Sequence, residues 1–125
     1  MLRNRRRQIV LILFSLFVIG SACGGGDSQT QTILQITHNM LVFGMTPQQA
    51  IEAPRFRSLS GLRLAIEDRV SEEALLDLRQ RGHLLNLVEG WTATFGGAHM
   101  IHHDPETGVL TAAADPRREA YAIAY

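Results

Sequence analysis

Several residue types are scarce in this chain of 125 residues, and each scarcity excludes a class of protein. Cysteine occurs once, at Cys23, so neither an internal disulfide framework nor a cysteine-rich zinc site can form. Lysine is absent, and four of the twelve arginines lie within the first seven positions. From Cys23 onward, eight arginines against twelve acidic residues give a net charge of −4. The chain therefore has no basic excess with which to bind nucleic acid.

The first 23 residues have the order of a bacterial secretory signal. Arginines up to Arg7 precede an apolar run, residues 9–19, which is followed by small residues and then Cys23. The run is shorter than the roughly 20 apolar residues of a membrane-spanning helix. The small residues before Cys23 resemble a lipoprotein signal, which makes Cys23 a candidate for lipidation. An ordinary signal peptide, or an uncleaved anchor with an incidental cysteine, is the alternative. In each case we expect an exported protein, periplasmic or membrane-anchored through its N-terminus.

Residues 24–32 are polar and rich in glycine, and this composition predicts a flexible tether. The tether would connect the signal to a domain spanning residues 33–125. Three helices are predicted in that domain, from apolar spacing and from start and stop signals. Thr46 and Gln49 form the pattern of a capping box at the second helix, and Ser71 is placed to cap the third. The predicted helices lie between Ile33 and Gly44, between Thr46 and Pro54, and between Ser71 and Gly82.

The same domain contains patterns typical of strands, so its predicted fold class is α+β. Alternation in residues 62–67 predicts a strand with one buried face. A turn-rich loop at 104–108 is of the length that joins a β-hairpin. Three large apolar residues in a glycine-rich stretch are predicted to complete the core, with a surface beside a partner as the alternative. These residues are Trp91, Phe95 and Met100, and the other predicted strands are 83–89, 99–103 and 109–114.

Local patterns assign no catalytic residue and no metal site. On a strand, His99 and His103 would lie about 13 Å apart with His102 on the opposite face, which is no compact set of ligands. The acidic pairs at 67–68 and 72–73 are typical of a solvated face. The serines lack the context of a catalytic nucleophile, and no phosphate-binding glycine motif is present.

A series of short stretches from Gly25 to Tyr125 carries a resemblance to a known family. They are Gly25-Gly26-Asp27, Gln31 to Gln35, Asn39 to Met45, Gln49 to Phe56, Gly82-His83, and Ala114 to Arg118 with the final Tyr125. In this order they resemble the C-terminal part of the small subunit of the γ-glutamyltransferases, which are also called γ-glutamyltranspeptidases or glutathione hydrolases.

The resemblance implies an N-terminal-nucleophile hydrolase fold, a four-layer αββα sandwich of which this chain would form part. In that family a proenzyme cleaves itself, and the threonine freed by the cleavage attacks a γ-glutamyl amide with its own amine as base. A double glycine donates N–H groups to the oxyanion, a role that falls here on Gly25 and Gly26. A plain tether after Cys23 is the alternative for these two glycines. No cofactor is implied.

The start of the chain departs from the family pattern. Only 24 residues precede Gly25, and they resemble a signal instead of the segment that carries the threonine. We therefore expect a truncated γ-glutamyltransferase-like protein that is inactive alone. Its expected partner is a large subunit or another threonine-bearing chain. The alternative is an exported, lipoprotein-like module that binds without catalysing. Strand edges left open by the missing portion predict self-association or poor folding.

Overall fold

The computed structural model describes residues 28–123, which form a mixed α/β domain. The predicted signal, Cys23, Gly25 and Gly26 lie outside the described residues. Within residues 28–123, no helix has both the length and the apolar character required to cross a bilayer. The helices are α1 (Gln29–Leu41), α2 (Pro47–Glu52) and α3 (Glu72–Gln80), and a 3₁₀ turn covers Ala93–Phe95. The strands are β1 (Phe56–Ser58), β2 (Arg63–Glu67), β3 (Leu84–Val88), β4 (His99–His103) and β5 (Leu110–Ala114).

Helix α1 begins at Gln29, so the last four residues of the predicted tether, 29–32, are helical. The reason lies in distant contacts that local composition does not show. The hydroxyl of buried Thr32 donates a hydrogen bond to the carbonyl of Phe95 at 3.1 Å. This contact fixes the polar first turn of α1 against a segment 63 residues away.

The predicted caps of α2 and α3 are confirmed. Thr46 Oγ1 accepts from the backbone N–H of Gln49, and Gln49 Oε1 accepts from the backbone N–H of Thr46 at 3.0 Å, which completes the capping box. Ser71 Oγ accepts from the N–H of Ala74 at 3.3 Å. Gly82, which follows α3, has φ +89°, a left-handed conformation that ends helices and favours glycine.

The strands form two sheets. In the first, the order is β1-β2-β3, with β1 antiparallel to β2 and β2 parallel to β3. Helix α3 connects the two parallel strands. In the second sheet, β4 and β5 form an antiparallel hairpin in which Met100 is the partner of Ala113. The hairpin was predicted, but β1 was not, because three residues are too few to show an alternating pattern.

The main core lies between helices α1 and α2 and one face of the β4–β5 hairpin. Its buried members are Ile36, Ala50, Ile51, Ala98, Met100 and Ala113. The prediction that Phe95 and Met100 are buried is confirmed, whereas Trp91 is 43% exposed. The prediction of one buried face for β2 is wrong, since Leu64, Ala65, Ile66 and Glu67 are all buried.

Glutamine side chains take the place of a neighbouring strand at two sheet edges. In each case the side-chain amide donates to the carbonyl and accepts from the N–H of a single strand residue. Such contacts satisfy backbone groups that an outer strand would otherwise leave open. The pairs are Gln31 with Ser58, Gln35 with Phe56, and Gln48 with Ala114, all at 2.8–3.2 Å.

Candidate functional site

Three arginines and two carboxylates meet where α2, β2 and the segment after β5 come together. We call this set the Arg–acid cluster. Four of its members are at most 5% exposed, and the fifth, Arg69, is half-buried. Three guanidinium groups against two carboxylates leave a formal charge of +1. The members are Arg55, Glu67, Arg69, Asp115 and Arg117.

Arg117 lies at the centre of the cluster and uses all its guanidinium donors. Nε donates to Glu67 Oε1 at 2.6 Å, and Nη2 donates to Glu67 Oε2 at 2.9 Å. Nη1 donates to Asp115 Oδ1 at 3.1 Å and to the carbonyl of Ile51 at 2.9 Å, and Nη2 also donates to the carbonyl of Ala53 at 3.0 Å. Burial opposes the charge on Arg117, but Glu67 and Asp115 outweigh it and raise the pKa of the guanidinium.

Glu67, the last residue of β2, is fully buried and accepts hydrogen bonds from two arginines. Besides Arg117, the Nη2 of Arg69 donates to Oε2. The backbone N–H of Arg55 approaches the same oxygen at 3.4 Å. Burial alone would raise the pKa of Glu67, but the hydrogen bonds and charges of Arg117 and Arg69 lower it below its ordinary value. The expectation of a solvated acidic pair at 67–68 is therefore wrong for Glu67.

Asp115 and Arg55 form the other half of the cluster. Arg55 Nη2 lies 2.7 Å from Asp115 Oδ2, and both side chains are at most 2% exposed. Asp115 also accepts from the backbone N–H groups of Ala98 at 2.9 Å and Arg117 at 3.1 Å. Burial lowers the pKa of Arg55, although Asp115 acts in the opposite direction. The aspartate thus connects the start of β4 to the segment that follows β5.

The arginines also cap the C-terminal end of α2. The last carbonyls of a helix have no partner within the helix, and cations are favoured there by the helix dipole. Arg55 Nη2 and Arg117 Nη1 both donate to Ile51 O, and Arg69 Nη1 donates to Glu52 O at 3.0 Å. This helix of six residues is thereby tied to β2 and to the segment after β5.

Trp91 covers the exposed side of the cluster. Its ring lies 3.7 Å from the guanidinium carbon of Arg69 and 5.3 Å from that of Arg117. A cation over an indole face is a favourable contact. Trp91 has φ +65°, so the backbone is held in a left-handed conformation that costs energy for a residue other than glycine. Trp91 therefore contacts the cluster from a strained backbone conformation.

The cluster can hold segments together, but it is poorly suited to acid–base catalysis. Every carboxylate oxygen of Glu67 and Asp115 accepts at least one hydrogen bond from an arginine or from a backbone N–H. A general base needs an oxygen free to take a proton from substrate. We therefore assign the cluster a structural role, which is to fix the 115–118 segment against α2 and β2.

The histidines considered as metal ligands do not join the Arg–acid cluster. Cys23, Gly25 and Gly26 lie outside the described residues. His99 and His103 are exposed on β4, while His102 is half-buried on the opposite side. Within residues 28–123, no group of three or more His, Cys, Asp or Glu side chains is placed to hold a metal ion.

Local sequence patterns did not predict the cluster, but the positions of its charged residues within the family-like stretches indicate it. Arg55 lies in the family-like stretch 49–56, and Asp115 and Arg117 lie in the stretch 114–118. Charged residues in two otherwise apolar or turn-like stretches are candidates for a buried ion pair. Their partner Glu67 belongs to no such stretch and could not have been found in this way.

The described domain is part of a fold shared with N-terminal-nucleophile hydrolases. It matches the crystal structure of a cephalosporin acylase from Bacillus halodurans with a TM-score of 0.68 and 33% identity, over 72% of this chain and 17% of that chain. The family model for gamma-glutamyltranspeptidase matches residues 14–125. The chain therefore belongs to the gamma-glutamyltranspeptidase family. That match begins inside the segment predicted to be a signal.

Two curated relatives are proenzymes. The chain is 37% identical to the glutathione hydrolase-like YwrD proenzyme of Bacillus subtilis (strain 168), over 79% of its own length. It is 29% identical to the oxamate amidohydrolase proenzyme of Klebsiella pneumoniae subsp. pneumoniae, over 81% of its length. The chain spans about one fifth of the length of each of these relatives.

Proposed function

We propose that these residues form the C-terminal structural part of an N-terminal-nucleophile enzyme that hydrolyses or transfers γ-glutamyl groups, glutathione being the expected type of substrate. The observation that carries the proposal is the Arg–acid cluster, which joins two family-like stretches through buried ion pairs. Membership of the family and the similarity to proenzymes named for glutathione and oxamate hydrolysis support it.

The reaction class would be attack by a threonine on an amide carbonyl, followed by transfer of the acyl group to water or to an amine. Gly25 and Gly26 are the candidates to donate N–H groups to the oxyanion, by resemblance to the family. The described residues would contribute rigidity. The segment after β5 is held in place by Arg117, Arg55 and Asp115. This part of the proposed αββα sandwich would therefore be rigid.

The nucleophilic threonine would be supplied by residues outside this sequence, on the same polypeptide or on another one. The 125 residues by themselves are then inactive toward amides. This part of the proposal is supported by the share of the relatives that the chain spans, about one fifth.

A chimera tests the proposal. The fifth of the Bacillus subtilis relative that this chain matches is replaced by residues 24–125 of this chain, and self-cleavage is followed by gel electrophoresis. Hydrolysis of a chromogenic γ-glutamyl anilide is measured in parallel. We expect the chimera to cleave itself and to hydrolyse the anilide, while the same relative lacking that fifth does neither.

Two further chimeras make the result specific. One carries Arg117→Met and is expected to lose self-cleavage, and its matched control carries Arg118→Met at an exposed neighbouring position. A soluble chimera that neither cleaves itself nor hydrolyses the anilide contradicts the proposal. An insoluble chimera also contradicts it, because the proposed role is to complete the fold. Such results would favour the non-catalytic module instead.

We also propose that the protein is exported and that Cys23 carries a lipid. The order of charged, apolar and small residues before Cys23 supports export. The family match from residue 14 offers a competing role for residues 14–22, within the enzyme fold. Intact mass of the protein from host membranes separates the two. A chain that begins at a lipid-modified Cys23 agrees with export, whereas an uncleaved, unmodified chain contradicts lipidation.

A further inference from the structure

The outer edge of β3 differs from the sheet edges that glutamine side chains cover. Gln31 and Gln35 cover β1, and Gln48 covers β5 at Ala114. Strand β3 pairs with β2 on one side. On its other side, no side chain or strand of residues 28–123 bonds to its backbone. An open strand edge is a template on which another strand can pair.

The hydrogen bonds to β2 identify which groups of β3 are open. The N–H of Leu84 donates to Leu62 O at 2.9 Å, and the N–H of Asp68 donates to Val88 O at 3.0 Å. Alternate residues of a strand point their backbone groups the same way, so residues 84, 86 and 88 face β2. The N–H and C=O groups of Leu85 and Leu87 therefore point away from the sheet.

Two of the apolar side chains of β3 are largely uncovered. Leu84 is 65% exposed and Leu87 is 47% exposed. No charged residue lies between Leu84 and Val88, and no proline or bulge protects the edge. Natural sheets usually guard an outer strand with such devices, so their absence here leaves β3 available for pairing with another strand.

The sequence around β3 is nearly symmetric about Asn86. If two copies of the strand run antiparallel about an axis through this residue, every position meets one of compatible type. Apolar residues then meet apolar residues, Asn86 meets itself, and a histidine meets a glutamate. The opposed positions are Leu85 with Leu87, Leu84 with Val88, and His83 with Glu89.

We propose that the β3 edge binds a second copy of this chain by antiparallel pairing centred on Asn86. Leu85 and Leu87 of one copy would exchange backbone hydrogen bonds with Leu87 and Leu85 of the other. The two three-stranded sheets become one continuous sheet, and the interface is the same surface on both copies, as two-fold symmetry requires.

The choice of a second copy as the occupant rests on this symmetry. Opposite positions of an antiparallel pair interact directly, and like charges there are destabilising. In the antiparallel pair, His83 of each copy lies opposite Glu89 of the other, so no two like charges face each other at the ends of the strands. Two Asn86 side chains on one face can hydrogen bond to each other, because an amide has both donors and an acceptor.

The first test measures the molar mass of the purified full-length chain by sedimentation at micromolar concentration. We expect a dimer. Asn86→Asp places two carboxylates opposite each other on the axis and should give a monomer with an unchanged circular dichroism spectrum. The matched control, Thr111→Asp, adds the same charge at an exposed position of β5 and should remain dimeric.

The second test is a cross-link. Residue 86 would form a non-hydrogen-bonded pair with its symmetry mate, with Cα atoms about 4.5 Å apart, a distance that a disulfide can span. In a Cys23→Ser background, Asn86→Cys should give a disulfide-linked dimer on oxidation. Leu59→Cys, which is also exposed, should not.

Three outcomes would overturn the proposal. They are a monomeric wild-type chain, an oligomer that Asn86→Asp leaves unchanged, and an Asn86→Cys protein that does not cross-link. A monomeric chain would mean that this edge does not pair with a second copy. Aggregation through other apolar surface predicts the second.

Discussion

Arg117 and Glu67, which are 50 residues apart in sequence, make a two-pronged contact with N–O distances of 2.6 and 2.9 Å. Both side chains are completely buried. The contact fixes the segment after β5 to the end of β2. Removing one partner of a buried ion pair leaves an uncompensated charge, which costs more than the intact pair contributes. The contact is therefore sensitive to substitution on either side.

Glu67→Gln should lower the free energy of unfolding by about 3–5 kcal/mol, because it leaves three arginines with a single carboxylate. The measurement is urea unfolding followed by circular dichroism. Glu106→Gln makes the same chemical change at an exposed turn residue and should shift the free energy by less than about 0.5 kcal/mol. Equal effects of the two substitutions would show that Glu67 is not part of a buried network.

Stability should fall in acid because the pKa of Glu67 is lowered in the folded protein. In the unfolded chain this group titrates near its ordinary value of 4.5. Below that pH the unfolded state takes up the proton first, so stability declines until the folded pKa is passed. The stabilisation from this group is fully present at higher pH. Thermal melts between pH 7 and pH 3 measure the decline, and a melting temperature constant down to pH 3 would contradict it.

Substitution of Trp91 should reveal how much its left-handed backbone conformation lowers the free energy of unfolding. Trp91→Ala and Trp91→Gly both remove the stacking on Arg69, a contact of about 0.5–1 kcal/mol at a partly exposed site. Glycine also removes the backbone strain, so Trp91→Gly should be more stable than Trp91→Ala by about 1 kcal/mol. Urea midpoints of the two variants make the comparison. An alanine variant as stable as the glycine variant would argue against strain.

Gln48 should stabilise the edge of β5. Gln48→Met keeps the length of the side chain but leaves the N–H and C=O of half-buried Ala114 without their partner. The expected loss is about 1–3 kcal/mol in the free energy of unfolding. Gln80→Met, at the exposed end of α3, is the control and should have little effect. A small effect at both positions would mean that water replaces the Gln48 amide at no cost.

Local chemistry predicted most elements of the fold. The capping box at Thr46, the cap at Ser71 and the hairpin loop at 104–108 each depend on residues within a few positions of one another. Such signals are readable from sequence because the contacts are local. Strand β1 and the first turn of α1 could not be read in this way. Gln31 and Gln35 stabilise them together, through contacts 21–27 residues apart.

The candidate site could not be predicted from local patterns either, because its main contacts join residues that are far apart in sequence. An adjacent acidic pair such as Glu67-Asp68 is usually solvated, and burial of Glu67 depends on Arg117, which approaches from a distant segment, together with Arg69. The family resemblance located Arg55 and Arg117 in its characteristic stretches. It did not indicate that they share a carboxylate network at the end of α2.

The long separation between Glu67 and Arg117 has a consequence for synthesis of the protein. A ribosome produces Glu67 fifty residues before it produces the arginine that binds both carboxylate oxygens. During that interval Glu67 has only Arg69 as an ion-pair partner from this cluster, and the two-pronged contact with Arg117 cannot form. A polypeptide interrupted between the two residues lacks this contact and is less stable, so a larger unfolded fraction is exposed to proteases and chaperones.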